Sequence, residues 1–324
     1  MVKNFLGASK RYVLNHLDDP AIVLLYHRVT DLAIDPQMLS VKPDNFYEHV
    51  KFLKKNYSLL GIEEFSYNIT KSKKMPSKSV MLTFDDGYAD NYYEALPILE
   101  SLDAQALFYI TTSNLNTDYE LWWDELERIL LGSYVLPDYI ETSSGKHVLR
   151  LPTSNTAERL TSYHSLHPYC KYSTPPERNR MIENLRESAG ISAEGRKSHR
   201  LMTFEELKHL SKSPASVIGA HTLNHPALSV LSYEQQQEEI NQSKIFLENV
   251  LEYPIEHFSY PYGAKKDYNK KSMRICRETG FKMVCSNYYG QVHSRTNCFE
   301  LPRILIRDWN KQNFSQYMTK IFQY

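Results

Sequence analysis

The sequence predicts an α/β protein built on a parallel sheet, either wrapped as a barrel or left open. Short apolar runs alternate with stretches of helical periodicity along most of the 324 residues. Such alternation is typical of parallel strands joined by crossover helices. The length exceeds that at which many hydrophobic cores divide, but α/β barrels of this size stay single domains.

Seven apolar runs are predicted to be strands, and three periodic stretches between them are predicted to be helices. The strands cover residues 21–26, 80–84, 106–110, 217–220, 257–260, 282–285 and 303–306. Two of the helices cover 44–56 and 92–102. The third begins at a capping box formed by Ser232 and Gln235 and places Ile240, Leu247 and Leu251 on one face.

Residues 118–200 interrupt this alternation and are predicted to form a helical insertion in the barrel. Helical patterns cover 119–131 and 175–190, and a small hairpin centred on Ser144-Gly145 is expected within 136–150. A further helix starts at the Thr203-x-x-Glu206 capping box. Residues 1–20 are predicted to form a weakly amphipathic helix that either packs on the protein or lies at a membrane surface. Residues 21–324 are expected to be one domain.

Composition limits the partners and the compartment. Basic and acidic residues number 38 each, so no overall charge favours nucleic acid. No apolar run is long enough to span a bilayer, and Lys10 and Arg11 interrupt any signal-peptide core. The four cysteines show no C-x-x-C spacing and indicate free thiols in a reducing compartment. We therefore predict a cytoplasmic protein, with peripheral contact at the inner face of the membrane as an option.

Two polar clusters follow predicted strands. Asp85 and Asp86 come directly after the run 80–84, and Gly87 allows a sharp turn there. His221 and His225 follow the run 217–220 with the four-residue spacing of metal ligands. An Asp/His/His set leaves room for water on zinc or a similar divalent ion, while the second carboxylate takes a proton from that water. The pattern predicts metal-assisted hydrolysis; the alternative is two structural histidines.

Three motifs resemble those of the polysaccharide deacetylase family, the carbohydrate esterases with a NodB-type domain. They are TFDDG at 83–87, HTLNH at 221–225 and YPYG at 260–263, and the resemblance covers 21–115 and 203–310. It implies a distorted (β/α)₇ barrel that binds Zn²⁺, Co²⁺ or Ni²⁺, zinc being favoured. It also implies that Asp85 is the general base and that three residues are the metal ligands: Asp86, His221 and His225. In the same family pattern, Pro261 and Tyr262 would shape the acetate groove, and the Tyr262 N–H would bind the oxyanion.

Two departures from the family pattern concern the arginine that orients the base and the general acid. Ser259 stands where the family has that arginine, and Arg303 is the predicted replacement, with Arg307 as the alternative. The family's C-terminal Leu-x-His is missing, but Leu25-Tyr26-His27 supplies one at the end of the first strand. This order resembles the circularly permuted branch of the family and implies that His27 protonates the leaving amine; the alternative is a core or loop histidine.

Two further aromatic–acid pairs are candidate site residues. Asp308-Trp309 resembles the family's acid–Trp pair, which implies that Asp308 supports His27 and that Trp309 walls the acetyl pocket. Trp123, in the run Trp122-Trp123-Asp124, either stacks on a sugar ring or is a buried aromatic opening a helix.

The sequence-based hypothesis is a deacetylase that removes an N-acetyl group from an amino sugar. The substrate is expected to be a sugar nucleotide, a lipid-linked sugar or an oligosaccharide used in bacterial surface polysaccharide biosynthesis. Three alternatives stay open: an O-acetyl esterase, an N-deformylase, and a degenerate sugar-binding protein that has lost catalysis with its arginine.

Overall fold

The computed structural model describes residues 18–144 and 147–323. Most of the predicted N-terminal helix, residues 1–17, lies outside that range. The strands, in chain order, are β1 (Ile22–Tyr26), β2 (Arg28–Val29), β3 (Ser40–Val41), β4 (Ser58–Leu59), β5 (Ser79–Phe84), β6 (Ala106–Ile110), β7 (Tyr139–Ser144), β8 (His147–Pro152), β9 (Ser216–Ala220), β10 (His257–Ser259), β11 (Met283–Cys285) and β12 (Ile304–Leu305).

Ten α-helices lie in the described residues. They are α1 (Pro43–Asn56), α2 (Ile62–Thr70), α3 (Leu96–Ser101), α4 (Trp122–Leu131), α5 (Thr156–Lys171), α6 (Pro175–Ser188), α7 (Phe204–Lys212), α8 (Tyr233–Leu251), α9 (Lys270–Glu278) and α10 (Lys311–Gln323). One turn of π-helix, Asn91–Ala95, leads into α3, and two short 3₁₀ turns cover Lys197–His199 and Leu228–Val230. None of these helices has the length and apolar character needed to cross a bilayer.

Seven parallel strands form the centre of the molecule, in the order β11-β10-β9-β6-β5-β1-β12, with β4 paired to β5. They are the seven strands predicted from the sequence, and each end lies within one residue of its predicted position. Strands β1, β5 and β6 are buried along their whole length. Burial on both faces explains why they are continuous apolar runs without alternation.

The segment from Leu301 to Ile306 closes the sheet on itself. The Leu301 N–H donates to the Val284 carbonyl (3.0 Å), and Leu301 accepts from the Ser286 N–H (2.8 Å), so the segment pairs with β11. Further along, β12 pairs in parallel with β1. The curled sheet is therefore a distorted seven-stranded barrel, as the family resemblance implied.

Local sequence signals explain where the helices begin. Pro43 occupies the first turn of α1, where a missing N–H has no cost. Both predicted capping boxes form, with Thr203 and Glu206 at α7 and Ser232 and Gln235 at α8. The buried positions of α1, among them Phe46, Val50 and Leu53, recur at helical spacing and pack towards the sheet.

Between β6 and α7 the chain forms α4, an antiparallel hairpin of β7 and β8, α5 and α6. The hairpin and helices α4 and α6 were predicted, but α5 was not. Its start carries a recognisable signal, because the Asn155 side chain accepts from the Glu158 N–H as an N-cap. The assignment of 118–200 as an insertion within a single domain stays a prediction.

Candidate active site

The polar residues that follow four strands converge at one end of the barrel. His27 follows β1, Asp85 and Asp86 follow β5, His221 and His225 follow β9, and Tyr262 follows β10. Parallel strands place their C-terminal ends at one edge, so these loops meet. They border a pocket of about 250 Å³ whose lining is completed by Gln37, Leu39, Trp123, His167, Lys171, Asn287, Leu305 and Arg307.

Asp86, His221 and His225 form a buried set of three ligand atoms. The Asp86 Oδ1 atom lies 3.6 Å from Nε2 of His221 and 3.4 Å from Nε2 of His225. Ligands bound at 2.0–2.1 Å in a tetrahedral zinc site are about 3.3–3.4 Å apart. Within the described part of the chain, Asp86 Oδ1 has no hydrogen-bond partner. Three converging donors and an unsatisfied buried carboxylate oxygen fit a divalent cation.

The two imidazoles are prepared to act as neutral ligands. The Nδ1 atom of His221 lies 2.7 Å from the Ser259 carbonyl oxygen. A carbonyl only accepts, so Nδ1 carries the proton and Nε2 turns its lone pair towards Asp86. Burial lowers the pKa of His221 and of His225, which keeps both rings uncharged. Burial also raises the pKa of Asp86, and the nearby Asp85 charge adds to that rise.

The backbone is strained where these ligands lie. Asp86, Thr222, His225 and Tyr262 have φ values of 77°, 66°, 51° and 60°. Positive φ is costly for residues with a Cβ, and most of all for β-branched threonine. The Thr222 hydroxyl accepts a hydrogen bond from the His225 N–H (3.1 Å), which holds the loop in this conformation. Strained residues persist only where surrounding contacts fix them, and here they coincide with the ligand set.

Two buried charged side chains support the histidine loop from outside the barrel. Glu239, on α8, accepts from the N–H groups of Leu223 (3.0 Å) and Asn224 (2.9 Å). Arg178, on α6, donates to the carbonyls of Asn224 (2.9 Å) and His225 (3.3 Å). A helix distant in sequence therefore orients a loop that carries two ligands.

Asp85 is held by Arg303 in a buried bidentate ion pair. The guanidinium nitrogens lie 2.7 Å and 2.6 Å from the two carboxylate oxygens. The guanidinium also donates to the Ser259 hydroxyl (2.7 Å) and the Ser286 carbonyl (2.7 Å). Burial by itself raises the pKa of Asp85, but the Arg303 charge and hydrogen bonds outweigh it, so the net pKa is lowered. Asp85 is thus an ionised carboxylate in a fixed orientation.

Arg303, and not the alternative Arg307, reaches the base. Its guanidinium bonds both Asp85 and Ser259, the position at which the family carries its arginine. Arg307 lies at the pocket and donates to the carbonyls of Gln37 (2.7 Å) and Met38.

His27 lies at the pocket on the loop after β1. Its carbonyl accepts from the Asn91 side chain (2.9 Å), which anchors the backbone. Among the described residues, its Nδ1 atom has no hydrogen-bond partner. Burial lowers the pKa of His27 to about 4, so the ring is neutral in the free pocket at pH 7.

The predicted roles of Asp308 and Trp309 are wrong. The exposed Asp308 accepts from the Lys42 N–H (3.0 Å) and the Asn45 side chain (2.6 Å), where it caps the start of α1. Trp309 packs on Tyr317, with ring centroids 4.6 Å apart. Neither lines the pocket, because the chain has already left β12 and turns towards α10 there. Pro261 is buried and does not border the pocket either.

Two aromatic side chains wall the ligand set. The Trp123 ring lies 4.7 Å from the His225 ring, and the Tyr262 ring lies 4.6 Å from it on centroids. The Tyr262 hydroxyl donates to the His225 carbonyl (3.3 Å) and accepts from Trp122 Nε1 (3.1 Å). Trp123 is therefore both a buried aromatic of α4 and part of the pocket wall.

A polar network lies behind Trp123. Its Nε1 donates to the Tyr88 hydroxyl (2.8 Å), which in turn donates to Asp124 (2.6 Å). Burial raises the pKa of Asp124 to about 7, against the opposing charge of Arg28. Glu120 raises that pKa further and Arg196 lowers it.

Sequence reasoning missed one wall of the pocket entirely. His167 and Lys171, one turn apart on α5, both line it. The buried Nε2 atom of His167 has no hydrogen-bond partner among the described residues. Lys171 is paired with the buried Asp267 (3.0 Å). The capping signal at Asn155 predicts a helix there, but nothing local shows that this helix faces the site.

The structure is a closed parallel barrel with a carboxylate–imidazole set and an ion-paired acid at its strand ends. This combination is typical of the α/β-barrel hydrolases. The chain is a member of the polysaccharide deacetylase family, whose model matches residues 72–132 and 191–284. The protein YxkH of Bacillus subtilis (strain 168), which carries the family's name, is 23% identical over 285 residues, covering 88% of this chain and 70% of YxkH.

Two further proteins share parts of this architecture. The poly-beta-1,6-N-acetyl-D-glucosamine N-deacetylase of Escherichia coli (strain K12) is 32% identical over 88 residues, which cover 27% of this chain and 13% of that protein. The Streptococcus pyogenes deacetylase PplD, solved in complex with acetate, aligns with 93% of this chain and 99% of its own at a TM-score of 0.60 and 20% identity. At that identity the likeness shows a common fold.

Proposed function

We propose that this protein is a metal-dependent carbohydrate deacetylase that hydrolyses the N-acetyl group of an amino sugar. The observation that carries the proposal is the Asp86, His221 and His225 set beside an Asp85 held by Arg303, within one pocket. Family membership supports deacetylation, and the activity for which the Escherichia coli relative is named supports an N-acetylated amino sugar.

Asp86, His221 and His225 would hold the cation, with zinc favoured by one carboxylate and two imidazoles. When bound, a divalent ion supplies Lewis-acid polarisation of the acetyl carbonyl and makes water more acidic. The proposed division of labour between the two adjacent acids follows from their partners. Asp86 has an oxygen without a hydrogen-bond partner among the described residues, whereas both oxygens of Asp85 are bonded to Arg303.

Asp85 would act as the general base. Each carboxylate oxygen has lone pairs beyond the one used by Arg303, so it can still accept a proton from the attacking water. The negative charge that develops on the acetyl oxygen would be bound by the Tyr262 N–H, which donates no hydrogen bond within the described chain. Tyr262 has a positive φ, a strained conformation of the kind that clusters at active sites.

His27 would deliver the proton to the departing nitrogen. Because it rests neutral, it must first take up a proton, and the proton that Asp85 removes from the attacking water is the available source. Negative charge on the tetrahedral adduct beside the ring would raise its pKa and favour that uptake. Among the described residues its unpaired Nδ1 leaves the ring without a competing structural hydrogen bond.

Arg303 argues against a degenerate sugar-binding protein. A chain that had lost its base-orienting arginine would leave Asp85 unpaired, whereas here the guanidinium of Arg303, just before β12, reaches the same carboxylate. We place the activity in bacterial surface polysaccharide biosynthesis, because the Escherichia coli relative is named for a polymer of N-acetyl-D-glucosamine. The cytoplasmic location stays a prediction from the sequence.

The test is acetate release from N-acetylated sugars by protein of known metal content. We expect about one divalent ion per chain, loss of activity with chelator, and recovery on adding Zn²⁺, Co²⁺ or Ni²⁺. Asp86→Ala should lose both ion and activity, and Asp85→Asn should lose about 10²–10⁴ in rate while keeping the ion. Asp118→Ala, an exposed acid, is the matched control. Wild-type turnover in Asp85→Asn would discard the scheme.

The same assay separates the alternative leaving groups. Formate in place of acetate would identify an N-deformylase, and acetate from O-acetyl sugars alone would identify an esterase. His27→Ala should slow amide cleavage more than ester cleavage, because an amine needs a proton to leave more than an alkoxide does.

A further inference from the structure

The charges of the pocket do not balance, and the surplus is positive. Asp85 is neutralised by Arg303, and Lys171 is neutralised by Asp267. In the proposed site, a divalent cation would bring two positive charges against the one negative charge of Asp86. What is left among the lining residues is the positive charge of Arg307.

Arg307 has no ion-pair partner within residues 18–144 and 147–323. The acid whose charge it feels is Asp35. That carboxylate is engaged elsewhere, because it accepts from the N–H groups of Leu39 (3.0 Å) and Ser40 (2.8 Å). A cation on a pocket wall without a carboxylate has its strong donors available for a ligand.

The guanidinium of Arg307 is also held in position. One nitrogen, Nη1, donates to the carbonyls of Gln37 (2.7 Å) and Met38. Gln37 itself lines the pocket, so the arginine and its anchor lie on the same rim. A fixed guanidinium loses less side-chain entropy on binding than a freely rotating one.

This rim is close to the reacting groups. Arg307 and His27 line the same pocket, and the Arg307 charge is one of the causes that lower the pKa of His27. Leu305, which also lines the pocket, is the last residue of β12 and precedes Arg307 by two positions. A group bound by Arg307 would therefore belong to the sugar that carries the acetyl group, or to the unit next to it.

We propose that Arg307 is the centre of an oxyanion subsite in the active pocket, so that the preferred substrate carries a phosphate or carboxylate group beside the acetylated sugar. This subsite rests on the proposed deacetylase function and narrows its substrate class. Arginine suits both groups, because its planar fork matches two oxygens of either one. Hydrogen bonds to charged groups contribute enough for an about 10- to 100-fold preference over a neutral sugar.

The experiment compares N-acetylglucosamine with its 1-phosphate, its 6-phosphate and a glucuronate-linked disaccharide. For metal-loaded wild type, Arg307→Gln, Arg307→Lys and Arg295→Gln, kcat/KM is measured by acetate release and Kd by calorimetry. We expect wild type to favour at least one anionic sugar about 10- to 100-fold, and the favoured one identifies the source of the oxyanion. The ratio of kcat/KM for the anionic sugar to that for N-acetylglucosamine should fall towards one in Arg307→Gln. In Arg307→Lys it should lie between the wild-type and Arg307→Gln values. The exposed Arg295 is the control and should leave it unchanged.

The experiment tests the oxyanion subsite separately from the proposed deacetylase function. A wild-type ratio near one for every anionic sugar, or a ratio that survives Arg307→Gln, would overturn the subsite while deacetylation stands. If no sugar releases acetate, the proposed function fails, and the calorimetric Kd ratio still tests the subsite. Added NaCl should reduce the anionic preference in wild type and leave neutral N-acetylglucosamine unaffected.

Discussion

Replacing Arg303 with methionine should both destabilise the protein and remove most of its activity. Methionine keeps much of the side-chain volume but removes the charge and the fork of donors. It leaves the Asp85 carboxylate buried, with 4% of its side chain exposed, and without its bidentate partner. Breaking a buried pair on one side costs about 3–5 kcal/mol, because the remaining charge is uncompensated.

The size of the thermal effect follows from the chain length. At about 2.1 cal/mol/K per residue, a chain of 324 residues unfolds with an entropy of roughly 0.7 kcal/mol/K. A loss of 3–5 kcal/mol therefore lowers Tm by about 4–7 °C. The rate of acetate release should fall by about 10²–10⁴, since the base is no longer held in its orientation.

A paired substitution separates loss of the contact from general damage. Ser259 lies 2.7 Å from the Arg303 guanidinium and 3.4 Å from Asp85. Arg303→Ser combined with Ser259→Arg moves the guanidinium to the family's usual position and should recover part of both Tm and kcat. Arg295→Met, at the surface, should change neither. The reasoning is refuted if Arg303→Met stays within 1 °C of the wild-type Tm and retains its kcat/KM.

Three further predictions concern the supports of the site. Arg178→Ala removes donors to the proposed metal-binding histidine loop and should weaken metal affinity about 10- to 100-fold in a competition titration. Arg180, exposed on the same helix, is the control, and Arg180→Ala should leave the metal affinity unchanged. Equal affinities in the two variants would contradict a supporting role for Arg178. Desolvation raises the pKa of Asp124 to about 7 in the folded protein, against 3.8 for an ordinary aspartate, so the unfolded chain ionises first and stability should fall as pH rises from about 4 to 7. Asp124→Asn should flatten that fall in urea unfolding of the metal-free protein at pH 5 and 8, and an unchanged slope would be evidence against it. Gly263 has φ +68°, and Gly263→Ala would place a Cβ 2.4 Å from a backbone nitrogen, which should lower Tm by several degrees. Gly190 has a similar φ of +64° but no atom within 4 Å of the added Cβ, so Gly190→Ala should lower Tm less. Similar Tm shifts in the two variants would show that the backbone angle alone matters.

Local patterns determined the strands, most of the helices and the two ligand motifs. Parallel strands buried on both faces must be continuous apolar runs, and caps depend on side chains within one turn. Such signals are contained in a few neighbouring residues. The adjacent acids after β5 and the spacing of His221 and His225 therefore predicted that one aspartate meets both imidazoles, and the family resemblance implied that it is Asp86.

Only the tertiary structure decided which arginine reaches Asp85 and which residues line the pocket. Arg303 and Arg307 are four apart, so the two-residue period of a strand assigns both to one face. The strand ends at Leu305, so Arg303 lies inside the barrel and Arg307 lies on the rim of the pocket. Asp308 and Trp309 failed for the same reason, since their motif lies beyond the strand.

The pocket wall formed by His167 and Lys171 of α5 was also decided only by the tertiary structure. His167 and Lys171 meet the pocket because helices between β6 and β9 pack over the strand ends. That placement depends on contacts between residues far apart in the chain, and these are set by closure of the barrel. A sequence specifies chemistry at its own positions, whereas distances between elements follow from the packing of the whole core.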